Sequence, residues 1–260
     1  MSRRNFIAGA FAVALLGHSA CSWADALENV QKSKNLRVAI LQDYPPFGFA
    51  GPSMKPAGLD IELAELVAKK LGVELTMLPA NGPNRIPYLQ TNKVDIIIGC
   101  LGKNAEREKV IDFSTPYAGI YNGVFGPADI SVKAPEDLKG HSISVSRGST
   151  EDLTLSKIAP STANIRRFED SNGAISAFLS GQAELLATGS VTAAAIIKKG
   201  PARIPLSKFK INDELVYVGL SKNEPKLMAK INEILAAAKA DGSLNALSLK
   251  WLGNPLPSNL

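Results

Sequence analysis

Arg107 is the residue around which chemistry can be placed. It follows a run of branched apolar residues, Val94 to Ile98 broken only by Asp95, that ends at Gly99 before the polar loop Gly102-Lys103-Asn104. Such a run predicts a strand buried on both faces of a parallel sheet. Asn104 is a candidate cap for a short helix carrying Arg107, which puts the guanidinium just beyond the strand's carboxyl end, where open α/β sheets hold ligands. A guanidinium forks two parallel hydrogen bonds onto a carboxylate. The alternative is a solvated surface arginine, since Glu106, Glu108 and Lys109 flank it. Gly148-Ser149-Thr150 is a second candidate, a small-residue turn opening a helix whose N–H groups and hydroxyls suit an anion. Plain capping by Ser149 or Thr150 is compatible with that role.

The elements that must position these groups follow a repeated order. Residues 36–41 (LRVAIL) read as the first buried strand, and residues 43–49 as an extended segment in which Pro45 and Pro46 fix the directions of Tyr44 and Phe47. Apolar residues recur at helical spacing over 60–71, with Lys69 and Lys70 in the last turn and Gly72 beyond it. A strand over 73–78, a turn over 81–84 and a short helix over 85–91 lead to the Val94 strand. Residues 112–117 are expected as a turn, because Pro116 forbids helix continuation. The order then restarts: strands over 142–145, 165–168 and 183–187, with helices from 151, over 171–180 and over 191–199. This βαβ alternation predicts parallel sheets with right-handed crossovers. Two lobes follow, residues 27–120 with 217–260 and residues 121–216, with crossings placed in 117–125 and 215–220. Closing helices over 225–240 and 243–252 are expected to return to the first lobe.

Composition narrows the class. With 260 residues, 45% of them hydrophobic, the chain can bury a sizeable core. The 29 basic and 24 acidic residues are scattered, which argues against nucleic acid as a partner. Residues 1–24 have the pattern of an export leader: Arg3 and Arg4, an apolar stretch of about a dozen residues that is too short for a membrane span, then small residues. Ser2-Arg3-Arg4-Asn5-Phe6-Ile7 is similar to a twin-arginine signal, with an ordinary secretory leader as the alternative. Cys21 sits where a lipidated cysteine would, but His18 occupies the position that should be aliphatic, so cleavage and a soluble product are expected. Removing the leader leaves 27 basic against 24 acidic residues, about +3. Cys100 is then the only cysteine, and no intramolecular disulfide is expected. Zinc spacing, phosphate-loop glycines and triad order are absent, so neither metal nor cofactor is expected.

The arrangement Gly58-Leu59-Asp60-Ile61-Glu62-Leu63-Ala64, Lys93-Val94-Asp95, Glu106-Arg107, Asp112-Phe113-Ser114 and Pro116-Tyr117 resembles the solute-binding proteins of polar amino acid ABC transporters, in register from about residue 36 to about residue 251. The resemblance implies a two-lobed type II periplasmic-binding-protein fold, each lobe a mostly parallel sheet flanked by helices, with two crossing hinge strands. It implies that Arg107 grips an α-carboxylate with Ser149 and Thr150, and that Tyr44 walls the ligand's aliphatic stem. Main-chain groups at Cys100-Leu101-Gly102 would take the ammonium and the carboxylate. Gly102 stands where the family often has a hydroxyl, which leaves main-chain contact only. Cys100 is expected as a small buried residue rather than a nucleophile.

Three departures bear on the ligand. Gly189 stands where the family commonly has an aspartate for the α-ammonium. Leu41 stands where a second acid is common, with Asp43 close by. Gly82 replaces a common aromatic, and Arg85 beside it supplies a second cation or faces solvent at its helix start. A pocket with fewer acids and two arginines favours anions, so a neutral or acidic amino acid, or a carboxylate lacking the amine, is expected.

The leading expectation is a monomeric periplasmic carrier that delivers a small solute to a membrane ABC permease. An alternative is a periplasmic dehydratase acting on cyclohexadienyl acids. It is disfavoured because residues 188–199 hold no carboxylate and no paired acids are expected at the other loop ends, Lys103 being the one titratable group nearby. A ligand-sensing receptor subunit is a third reading of the same pocket.

Overall fold

A computed structural model describes residues 25–51, 53–258 and 260. The leader, its arginine pair and Cys21 lie outside the described residues. Asp25 caps the first helix, α1 (Ala26–Ser33), accepting a bond from Leu27 N at 2.9 Å. Strand β1 (Asn35–Leu41) follows, then three short strands, β2 (Asp43–Tyr44), β3 (Gly48–Ala50) and β4 (Pro56–Ala57), which form a small sheet of their own. Helix α2 (Leu59–Leu71), β5 (Glu74–Ala80), α3 (Arg85–Gln90), β6 (Ile96–Gly102) and α4 (Ala105–Glu108) lead to a long strand, β7 (Ile111–Gly126). Next come β8 (Ser142–Ser146), α5 (Thr150–Ile158), β9 (Asn164–Phe168), α6 (Ser171–Leu179), β10 (Leu185–Gly189) and α7 (Ser190–Lys198). A second long strand, β11 (Leu206–Ser221), returns the chain to α8 (Pro225–Ala240) and α9 (Ser243–Leu252).

The large sheet has the order β5-β1-β6-β11-β7-β10-β8-β9. Its outer wings, β5-β1-β6 and β10-β8-β9, are parallel within themselves. The two long strands pair antiparallel with each other along the middle. Each wing is covered on both faces, as parallel strands require. Ile96, Ile98 and Cys100 of β6 face a cluster built with α2, α8 and α9, while Ile97 and Leu101 face one built around Leu89 and Ile111. On the other wing Leu185 and Ala187 of β10 face one cluster and Leu186 the opposite one. The period-two alternation of these strands thus fixes which side chains meet which helices.

Two expectations need correction. Residues 112–117 are not a turn but part of β7, and Pro116 is accommodated where the β11 register shifts between Val216 and Tyr217 and again between Tyr217 and Gly219. Irregular pairing of that kind is where a strand tolerates a residue without an N–H. Strand β6 does not stop at Gly99, because β11 pairs with it as far as Gly102. Helices α8 and α9 return to the first wing as expected, packing with α2.

Helix α2 has no side-chain cap. Its first N–H groups, Leu59 and Asp60, donate instead to the carbonyls of Pro46 and Phe47 at 3.0 and 2.8 Å. That approach needs Gly58, whose φ is +129°, and a Cβ there would lie 2.1 Å from Phe47 O. Gly58→Ala is therefore expected to cost at least about 2 kcal/mol, a fall of about 5 °C or more in Tm. Calorimetry checks this, and an unchanged Tm would contradict the tight approach.

Candidate functional site

The carboxyl end of β6 meets the amino end of α5 across the middle of the sheet. Asn104 Oδ1 accepts from Arg107 N at 2.9 Å, which starts the four-residue helix α4 and turns the Arg107 side chain back towards the strand end. Arg107 is only 6% exposed. Its Nη1 donates to Gly102 O at 2.6 Å and to Thr150 Oγ1 at 3.4 Å, and its Nη2 to Gly148 O at 3.0 Å. The guanidinium thus spans both wings. Burial, with Arg85 nearby, lowers its pKa to about 10, which still leaves it charged at neutral pH.

On the opposite wing Ser149 caps α5, accepting from Asp152 N at 3.2 Å. The Thr150 hydroxyl donates to Glu214 Oε1 at 2.6 Å. Glu214 comes from β11, and its Oε2 accepts from Asn122 Nδ2 of β7. Tyr44 reaches across from the first wing: its hydroxyl donates to Glu151 Oε1 at 3.0 Å and accepts from Gly189 N at 2.9 Å. A Cβ at Gly189 would lie 2.5 Å from that hydroxyl, so the glycine makes the seat for the phenol. Asp43 accepts from Ser171 N, and Thr192 Oγ1 donates to Pro45 O at 2.7 Å. These bonds hold the two wings closed on one another.

Beneath Tyr44 lies a second set of buried charges. Arg85, 4% exposed, donates through Nη1 to the carbonyls of Gly99 and Cys100, and its Nε has no hydrogen-bond partner among the described residues. The reading of Arg85 as a solvent-facing helix start is therefore replaced by a buried cation bound to the strand end. Cys100 has φ +43°, and its N–H donates to Asp60 Oδ2 at 2.8 Å. Tyr117 Oη donates to Asp60 Oδ1 at 2.7 Å. Burial pushes the Cys100 thiol well above its ordinary range, which suits a packing residue and not a thiolate nucleophile.

A cavity of about 30 Å³ remains between these groups, bordered by Leu41, Tyr44, Arg85, Cys100, Thr150 and two acids, Glu151 and Glu214. It has room for about two waters and not for an amino acid, so a solute of that size needs the wings to separate. Asp43, Arg107 and Gly189 lie one hydrogen-bonded neighbour behind this lining, through Ser171, Thr150 and Tyr44, and Gly102 lies behind Arg107. The Leu101 side chain points to the opposite face, into the Leu89 cluster, which leaves only its main chain available. Gly102 likewise offers main chain alone, and the space of its missing side chain is taken by Glu214 Oε1, 1.4 Å from where a Cβ would be. A wider depression of about 1010 Å³ lies near α1, but its charges pair at the surface, as in Arg37 with Asp95 and Lys226 with Glu28.

The expectation of a pocket with fewer acids is overturned by Glu151, in the first turn of α5, and Glu214, which lies within β11 and not at a loop end. Glu151 directly follows the Ser149-Thr150 pair. Glu214 continues the inward parity of Val216, Val218 and Leu220 along β11, a signal present in the sequence. Burial and the neighbouring Glu214 charge both raise the pKa of Glu151.

Two α/β wings joined by paired long strands, with charged groups converging between them, define the type II class of periplasmic binding proteins. Residues 36–254 match the bacterial extracellular solute-binding proteins, family 3, and the chain belongs to that family. It is 30% identical over 255 residues to the L-cystine-binding protein TcyJ of Escherichia coli (strain K12), covering 96% of each chain. Among solved structures, a mutant of ArgBP from T. maritima superposes with a TM-score of 0.83 at 29% identity, covering 88% of this chain and 100% of that one. The ancestral amino acid-binding protein AncCDT-1, a precursor of cyclohexadienyl dehydratase, superposes at 0.80 with 31% identity, covering 87% and 99%. Among the described residues no helix is long and apolar enough to cross a membrane.

Asp60 gives a test of the buried charges. Burial raises its pKa from 3.8 to about 6, so between about pH 4 and 6 the folded chain holds a proton that the unfolded chain has lost. Its contribution to stability is full below pH 4 and is lost as pH rises through 6, about 3 kcal/mol in all. Relative to Asp60→Asn, the native protein should lose stability across that window and hold a constant difference above it. Thermal denaturation from pH 4 to 7 checks this, and a difference that stays flat throughout would refute it.

Proposed function

We propose that this chain is the solute-binding component of an ABC importer, exported by its leader to the periplasm as a monomer, and that it captures an amino acid between two lobes for delivery to a membrane permease. One observation carries the reading: Arg107, on the first wing, spends its guanidinium hydrogens on Gly148 O and Thr150 Oγ1 of the other wing. A ligand's α-carboxylate, entering between the lobes, exchanges with those acceptors and receives the fork from one side and the α5 N-terminus from the other. Tyr44 then lies along the ligand's stem.

The lobes are residues 27–120 with 217–260 and residues 121–216, and β7 and β11 are the hinge strands. Opening breaks the Tyr44, Asp43 and Pro45 bonds, and a ligand that bridges both faces favours the closed state by its differential contacts. The family and the binding proteins it resembles support this reading, in which nothing is turned over. The paired acids Glu151 and Glu214 keep one alternative open to test, a dehydratase using one of them as general acid. Incubation with prephenate or arogenate should release no product.

The first experiment is a thermal-shift screen of amino acids and small dicarboxylates on refolded, ligand-free protein, since a solute that binds only the folded state raises Tm. Arg107→Ala is expected to weaken binding of the best ligand by about 100-fold or more by calorimetric titration, because one partner of a buried charge pair is removed. Unchanged affinity in that variant would remove the carboxylate anchor from the account.

A further inference from the structure

We infer that Glu214, with Glu151 near it, is the acceptor for the ligand's ammonium group, so that the site takes a zwitterionic amino acid and discriminates against the same carboxylate lacking the amine. The inference rests on the binding reading above and replaces the expectation, drawn from Gly189 and Leu41, that an amine is poorly accommodated.

Position comes first. Glu214 stands on β11 at the floor between the wings, 9% exposed, and borders the same cavity as Tyr44, Arg85 and Glu151. Thr150 Oγ1 accepts from Arg107 Nη1 and donates to Glu214 Oε1. The proposed carboxylate anchor and the Glu214 carboxylate are therefore separated by one hydroxyl, a spacing suited to the adjacent carboxylate and ammonium of an α-amino acid.

Charge and hydrogen bonding give the same result. Glu151 and Glu214 are both buried within reach of the Arg107 charge, yet neither accepts a hydrogen bond from Arg107, whose Nη hydrogens go to Gly102, Gly148 and Thr150. Two carboxylates out of water beside each other favour a further cation that hydrogen-bonds them directly. Asn122, fully buried, uses its Nδ2 on Glu214 and on Asn212 Oδ1, which leaves its own Oδ1 with no donor among the described residues. Asn122 does not border the cavity and so holds the Glu214 carboxylate from behind, while an ammonium, with three N–H donors and a positive charge, is the complement of the two carboxylates that do border it.

Space explains the glycine. A side chain at 102 would have its Cβ 1.4 Å from Glu214 Oε1 and 2.9 Å from Thr150 Oγ1, so Glu214 occupies its place only because residue 102 is glycine. Gly189 is likewise filled by Tyr44, whose hydroxyl donates to Glu151. The acid absent from position 189 is thus supplied from elsewhere in the chain.

The test is calorimetric titration of refolded, ligand-free protein with the common L-amino acids and L-cystine, followed by the α-hydroxy acid analogue of the best binder. Native protein should prefer the amino acid over its hydroxy analogue by about 100-fold or more, since a site built to accept an amine leaves its acids unpaired with the analogue. In Glu214→Gln that preference should fall below about tenfold, with Glu214→Asp, which keeps the charge on a shorter stem, in between. The preference of the native protein is read without any variant, so poor folding of Glu214→Gln does not protect the inference. Binding of the hydroxy acid as tight as that of the amino acid, or an undiminished preference in Glu214→Gln, would overturn the inference alone. No binding of any amino acid to native protein would end the carrier reading, and this assignment with it.

Discussion

Charge held out of water where two halves meet is the constraint from which the site follows. Arg85, Arg107, Asp60, Glu151 and Glu214 are each at most 9% exposed, and an ion so placed must find partners or give up its charge. The end of β6 supplies the partners. Carbonyls of Gly99, Cys100 and Gly102 take the two guanidiniums, and the Cys100 N–H takes Asp60. Strand β6 is held by β1 at Ile96 and Ile97 and by β11 on both sides of Gly99-Cys100, at Ile97 and at Leu101-Gly102, which anchors the segment whose carbonyls take the two cations. The sheet therefore does for the arginines what a rotamer alone could not.

The same economy of space appears at the two glycines. Positions 102 and 189 lack side chains, and in both cases a distant polar group fills the void: Glu214 from β11 and Tyr44 from β2. Close packing leaves no void a methyl could enter at either place. The polar content of the site is set by which residue reaches the space and not by which residue owns the backbone there. The compensating residues lie 112 and 145 places away in the chain from the glycines whose space they fill.

Much of the fold was legible because burial writes a period into the residues. Helix α2, the βαβ order and both closing helices follow from apolar spacing and from the glycines and lysines at their ends. Strand β7 was misjudged at Pro116, because the irregularity that absorbs a proline belongs to the pairing with β11 and not to β7 itself. Strands β2, β3 and β4, two or three residues each, are too short to carry a period. Arg107 and Thr150 were legible from strand end and helix start. Arg85 was legible only as one of two readings, a second cation or a solvent-facing helix start, since its acceptors are carbonyls fixed by topology. Glu151 carried no site signal of its own, since an acid in the first turn of α5 suits the helix dipole, and only the Tyr44 contact from the other wing gives it a second role.

Glu214 also bears on how closure and ligand are joined. The pairing of β7 with β11 is regular from Asn212 to Val216 and irregular on both sides, at 207–212 and at 216–219. Regular antiparallel pairing is the stiffest part of such a ribbon, and irregular pairing is where twist is taken up. In the proposed closure the wings therefore rotate about a short rigid segment that carries Glu214 at its centre. A group bound to Glu214 stays in place while Arg107 and Tyr44 approach from one side and Thr150 and Glu151 from the other. Recognition then proceeds from the floor upward: a solute whose ammonium pairs with Glu214 is met by Arg107 and Tyr44 as the first lobe closes over it.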